Sequence, residues 1–198
     1  MSTTASPCDS SALLLHVTPP RSLPSLFARP RLAANGEWLR NRPVIIVEAP
    51  AGFGKTSLLA QWRREFQTEG SAVAWLSAQD IDGPERFIKS LALAFRAGAG
   101  RPQFGQALFK GTSVQSTEGV TLWLAEIAQI ALNTVLIVDQ AERLSPESCD
   151  ALTLSLEEFA SKFACGRRFA ESCQARDRRS HCLRALREGG AAATSVSS

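Results

Sequence analysis

The sequence predicts an α/β fold, a three-layer sandwich with a parallel sheet, and three observations predict it. The apolar run Val44–Val47 breaks into a small-residue loop and re-emerges as a helical stripe through Leu58, Leu59, Trp62 and Phe66. A second apolar run, Val73-Ala-Trp-Leu-Ser77, follows that stripe and precedes another one. A third, Thr134–Val138, is apolar from Val135 onward and ends in Asp139, as strands buried on both faces do. Two β-α-β units result, over 44–77 and 73–139, with right-handed crossovers and a ligand expected at the carboxyl ends of the strands.

The remaining elements follow in chain order. With 198 residues and 44% apolar composition, the chain has room for one medium domain with tails. Residues 1–40 are expected to be a partly disordered leading segment, Ser/Thr-rich to residue 11 and then punctuated by Thr18-Pro-Pro-Arg and Arg29-Pro-Arg-Leu, both extended against the domain. Leu32 to Leu39 has the pattern of a short helix, and Asn41-Arg-Pro turns the chain into the first strand. The first long helix runs from Thr56 to about Thr68, where Glu69-Gly70-Ser71 ends it. Pro84 opens a second helix whose core stripe is Phe87, Leu91, Leu93, Ala94 and Phe95. Arg101 to Gln115 is a connection, and Val120 to Leu132 is a strongly apolar helix.

Composition removes several function classes. The net charge of +3 is concentrated in residues 163–198, which carry a surplus of +4, so the rest sums to −1 and offers no basic surface for nucleic acid. Five cysteines, Cys8, Cys149, Cys165, Cys173 and Cys182, contain no C-x-x-C pair, which argues against a disulfide framework or a zinc site. The apolar run Ala12–Leu15 is too short for a signal core or a membrane span, so no membrane partner and a cytoplasmic location are expected.

The chemistry is concentrated at Ala49-Pro-Ala-Gly-Phe-Gly-Lys-Thr-Ser57. This fits the phosphate-loop spacing G-x-x-x-x-G-K-[ST] with Ala49 at the first glycine position. Gly52 and Gly54 lack Cβ atoms and let the backbone turn its N–H groups onto an anion. The expected contacts to the phosphates of ATP are Ala51, Gly52, Phe53, Gly54, Lys55, Thr56 and Ser57, aided by the positive end of the following helix. Thr56 and Asp139 are the expected Mg²⁺ residues, the latter because a carboxylate ending a buried strand has the form of a Walker B element. Gln140 stands where many hydrolytic phosphate-loop proteins carry a second acid. Glu142 is the catalytic candidate that remains, so ATP binding is better supported than hydrolysis, and any ATPase activity is expected to be slow.

Together with Pro84-Glu-Arg-Phe87, Leu136-Ile-Val-Asp139 and the Gln61-Trp62 that follows the loop helix, these stretches resemble the N-terminal part of the large ATP-binding LuxR-type transcription regulators, the MalT-like branch of the STAND NTPases. The resemblance covers about residues 18–160 and implies a P-loop NTPase fold, an ATP/ADP switch and self-association. In the family, inducer sensing and DNA binding lie in later domains that have no counterpart here, so no DNA binding is expected. The family's second Walker B acid is replaced by Gln140, and no strand ending in Ser-Arg is visible after Ser145-Pro-Glu.

That strand should lie between the two phosphate-loop strands, so the sheet is expected to be incomplete at its C-terminal end. Residues 41–162 are accordingly expected to be a truncated ATP-binding domain. Residues 163–198, with seven Arg, no Lys and few aliphatic residues, are expected to be a basic tail, disordered or out of frame. The resulting expectation is an ATP-binding switch domain; the alternatives are an AAA+-like P-loop ATPase and a truncated, non-autonomous fragment.

Overall fold

The structure is a computed structural model that describes residues 13–21, 28–34, 36, 44–79, 83–110, 123, 125–126, 133–152, 168–174 and 193–197. Five strands form one sheet: β1 (Val44–Ala49), β2 (Ala72–Ser77), β3 (Thr134–Asp139), β4 (Arg168–Gln174) and β5 (Ala193–Ser197). Their order is β2-β3-β4-β1-β5, and every pairing is parallel. Helices α1 (Lys55–Thr68), α2 (Pro84–Ala99), α3 (Gln106–Lys110) and α4 (146–152) connect or cover them.

The strand alternation divides the core in two. Ile45, Val47, Val73, Trp75, Val135 and Ile137 point to one face, where Leu58, Leu59, Trp62 and Phe66 of α1 cover them. Ile46, Ala74, Leu76, Leu136 and Val138 point to the other, against Phe87, Leu91 and Phe95 of α2 together with Phe104, Trp123 and Leu152. Helices on both faces of a parallel sheet give the three layers expected from the sequence. Gly98 lets α2 approach β2 closely, since a Cβ there would lie 2.4 Å from the Val73 carbonyl oxygen.

Three features differ from the sequence reading. The central strand, missing from the apolar pattern, is β4, hydrogen-bonded to β1 on one side and β3 on the other. The sheet therefore extends beyond residue 162, and β5 pairs with the other side of β1. Arg-Phe-Ala-Glu-Ser-Cys-Gln has neither a β-branched residue nor a continuous apolar run, so periodicity gave no sign of a central strand; its position comes from the two open ladders beside it. Secondly, Pro30–Leu32 is a 3₁₀ turn rather than extended chain, and Ala33 beyond it is extended at φ −66° and ψ 143°; of the short helix expected over Leu32–Leu39, residues 35 and 37–39 lie outside those described. Thirdly, α3 forms within the expected connection 101–115. The helix expected over 120–132 is seen at Trp123, Ala125 and Glu126, and its other residues lie outside those described.

Candidate functional site

The site is built where β1 hands over to α1. Pro50 to Gly54 form the loop, closed by the Phe53 N–H donating to the Pro50 carbonyl at 3.4 Å. Gly52 and Gly54 have φ of +82° and +76°, in the left-handed region where a side chain is strained, and this requires glycine at both positions. Gly54 caps α1 without a side-chain acceptor, and the first intrahelical bond runs from Leu58 N–H to the Gly54 carbonyl. The N–H groups of the first turn consequently have no acceptor within the helix and form the positive end of its dipole.

The two sequence-distant halves of the site meet at Thr56. Its hydroxyl lies 2.9 and 3.1 Å from the two carboxylate oxygens of Asp139, across 83 residues of sequence. Asp139 ends β3 and is 3% exposed. The Lys55 ammonium donates to the carbonyls of Ala49 at 2.9 Å and Pro50 at 3.2 Å, folded over the mouth of the loop. A cleft of about 290 Å³ opens there, lined by Ala51, Gly52, Gly54, Lys55 and Thr56 from the loop side and by Asp139, Gln140 and Glu142 from the β3 side. Phe53 and Ser57 flank the cleft without lining it, and the Phe53 ring is 53% exposed at the loop tip.

Gln140 is the sole non-glycine residue with positive φ among the described residues, at 59°. This left-handed turn directs the chain into a 3₁₀ turn, Ala141–Arg143, and brings Glu142 to the cleft. Burial pushes the Glu142 carboxyl above its ordinary range, and Asp139 adds to the shift; its backbone hydrogen bond, Lys55 and Arg143 oppose it. Its Oε2 is buried and has no hydrogen-bond partner among the described residues.

This donor set suits a phosphate chain with a hard cation. First-turn N–H groups and an ammonium face the anion, and a hydroxyl beside a carboxylate offers oxygen ligands to a divalent ion. Among the described residues no group of three or more His, Cys, Asp or Glu could cage a metal by itself. Mg²⁺ typically takes one or two protein oxygens and completes its shell with water and ligand phosphates, which fits the Thr56–Asp139 pair.

Sequence reasoning missed Arg29. Its guanidinium donates to the Phe53 carbonyl at 2.9 Å, on the outer side of the loop. Only an Arg-Pro dipeptide in the leading segment marked it, and nothing in that pattern encodes a contact 24 residues away.

Residues 39–166 match the family model described as the AAA domain. The chain belongs to this family. AAA domains of the P-loop type are nucleotide-binding modules, in agreement with the loop geometry at 50–56. The chain is 44% identical over 66 residues to the serine/threonine-protein kinase PknK of Mycobacterium tuberculosis, a match covering 33% of this chain and 6% of the kinase. It is 33% identical over 82 residues to the HTH-type transcriptional regulator MalT of Yersinia enterocolitica, covering 41% of this chain and 9% of MalT. The chain thus spans a small part of the length of the relatives it matches. In fold it is similar to Cdc6p from Pyrobaculum aerophilum, with a TM-score of 0.51 at 15% identity over 80% of this chain and 41% of that one. Among the described residues no helix is long and apolar enough to cross a membrane.

Proposed function

We propose that this AAA domain is an ATP-binding switch module of the kind found in MalT-like regulators. The observation that carries the reading is the Thr56–Asp139 hydrogen-bonded pair beside Lys55, which joins the loop after β1 to the end of β3 in one cleft. Lys55 would leave the Ala49 and Pro50 carbonyls for the outer phosphates, and the first-turn N–H groups of α1 would take the inner ones. Thr56 Oγ1 and Asp139 would hold Mg²⁺. An ion held by this pair would supply positive charge to offset that of the terminal phosphates. The sequence similarity to MalT supports the switch role, and self-association in one nucleotide state belongs to the same reading.

A second reading, a slow ATPase, is favoured by Glu142. An acid that lines the cleft with a pKa raised by burial is of the kind that takes a proton from water, which the Gln140 amide does not do. Nucleotide binding by the purified chain, followed by turnover of the bound ATP, separates the two. Tight binding with negligible turnover supports the switch; turnover lost in Glu142→Gln supports the enzyme.

A further inference from the structure

We propose that Arg29 is a positioning residue for the phosphate loop, and that the segment carrying it couples nucleotide binding to docking of the chain before β1. The loop centre is Gly52-Phe53-Gly54, with left-handed glycines on both sides of Phe53. Because glycine occupies either sign of φ with little penalty, the Phe53–Gly54 peptide plane is free to flip unless something holds it. That plane is rigid and trans, so the Phe53 C=O and the Gly54 N–H point in opposite directions. Arg29 holds the carbonyl from outside at 2.9 Å. The Gly54 N–H is thereby directed away from Arg29, toward the cleft that Gly54 lines. Arg29 also occupies the space of a side chain at position 54, its terminal nitrogen lying 2.9 Å from where a Gly54 Cβ would be.

The arginine is itself anchored to the helix that the loop begins. Gln61 accepts from the Arg29 N–H at 3.0 Å, Glu65 accepts from the Ala34 N–H, and the Trp62 indole donates to the Leu32 carbonyl. Gln61 also donates to Glu65 at 2.7 Å, and Ala34 is fully buried in the core on this face. The strap 29–34 therefore spans the loop at one end and the middle of α1 at the other. Whatever stabilises the loop stabilises the docked strap, and by linkage the effect is equal in the reverse direction.

The coupling rests on the nucleotide reading, whereas the loop-holding role does not, and one set of samples tests both. In the full chain labelled for NMR, the Gly54 amide gives one resonance in the wild type and a shifted or doubled one in Arg29→Ala. Resonances of β3 stay in place, because the Arg29 side chain lies outside the core. Titration with Mg·ATP should give about tenfold weaker binding for Arg29→Ala, the scale of one lost hydrogen bond to a charged group, and Arg29→Lys should recover most of it. ATP should slow hydrogen exchange at the Arg29 and Ala34 amides in the wild type and not in Arg29→Ala. An unchanged Gly54 resonance overturns the proposal, as does loosening that spreads equally to β3. Wild-type ATP affinity in Arg29→Ala also overturns it. If the wild-type chain binds no ATP, the nucleotide reading and the coupling fail together, and the Gly54 resonance alone decides the loop-holding role.

Discussion

Gly98→Ala sets two effects of opposite sign against each other at the contact that seats α2 on the sheet. Gly98 lies in the last turn of α2 without positive φ, so alanine is compatible with its backbone and gains up to about 1 kcal/mol of helix propensity. The new Cβ, however, would lie 2.4 Å from the Val73 oxygen, 2.6 Å from the Val73 carbonyl carbon and 2.8 Å from the Ala74 nitrogen. Ordinary carbon contacts are about 3.5–4 Å, so the helix must retreat from β2 by about 1 Å. All three obstructing atoms are backbone, and none swings aside as a side chain would. Overpacking of this kind costs about 1–3 kcal/mol, here at the upper end, because α2 also carries the buried Phe87, Leu91 and Phe95. The net loss is about 2 kcal/mol, a fall in Tm of about 4–8 °C for a chain of this length. Thermal melts of both proteins by circular dichroism measure it. A variant that melts at or above the wild type would show that propensity wins and that α2 does not sit as close to β2 as described.

Further outcomes follow from the site. Thr56→Ala and Asp139→Asn should each weaken ATP binding about tenfold in the presence of Mg²⁺ and leave binding in EDTA within about threefold, since both residues act through the metal; equal losses in the two titrations would remove them from the metal site. Glu142 has a folded-state pKa raised above its unfolded value, so the stability it contributes is full below about pH 4 and is lost as pH rises through the folded pKa. Glu142→Gln should therefore gain in Tm relative to the wild type between pH 4 and pH 7, and a difference independent of pH would contradict the assignment. Gln140 sits at φ 59° and ψ 38°, so a β-branched residue should lose about 1–2 kcal/mol there and glycine should not; equal urea midpoints for Gln140→Val and Gln140→Gly would refute the left-handed turn.

The parts of this fold that were legible in the sequence are those whose causes are local. β1, the loop and α1 form one contiguous signal, in which an apolar run, two glycines and a helical stripe each have a single structural solution. β3 was equally plain, because Val135–Val138 is an unbroken apolar run before Asp139 and all six strand positions are buried. The meeting of Thr56 with Asp139 was anticipated from the chemistry both would share, although its geometry depends on the parallel register that places the ends of β1 and β3 on one rim of the sheet. β4 was not legible, because its seven residues are selected by two open ladders rather than by their own periodicity. Arg29 was hidden for a related reason. Its anchors, Gln61 and Glu65, have the pattern of ordinary polar positions on a helix, and only the folded chain shows that they receive backbone N–H groups from the strap. Glu142 stood out in the sequence as an acid near the Walker B strand, but its approach to the cleft depends on the left-handed turn at Gln140, which a glutamine does not announce.

The central claim is that the loop at 50–56 holds the phosphates of a nucleotide through Lys55. Isothermal titration of the purified chain with Mg·ATP, side by side with Lys55→Ala, tests it most directly. Among the described residues the Lys55 ammonium donates to the Ala49 and Pro50 carbonyls at the loop's mouth, so its removal should leave the fold intact while taking away the positive charge that meets the phosphates. The account predicts saturable, one-to-one binding by the wild type and none in the variant at the same concentrations, with both proteins melting within a few degrees of each other. Equal ATP affinity in the two proteins would contradict it.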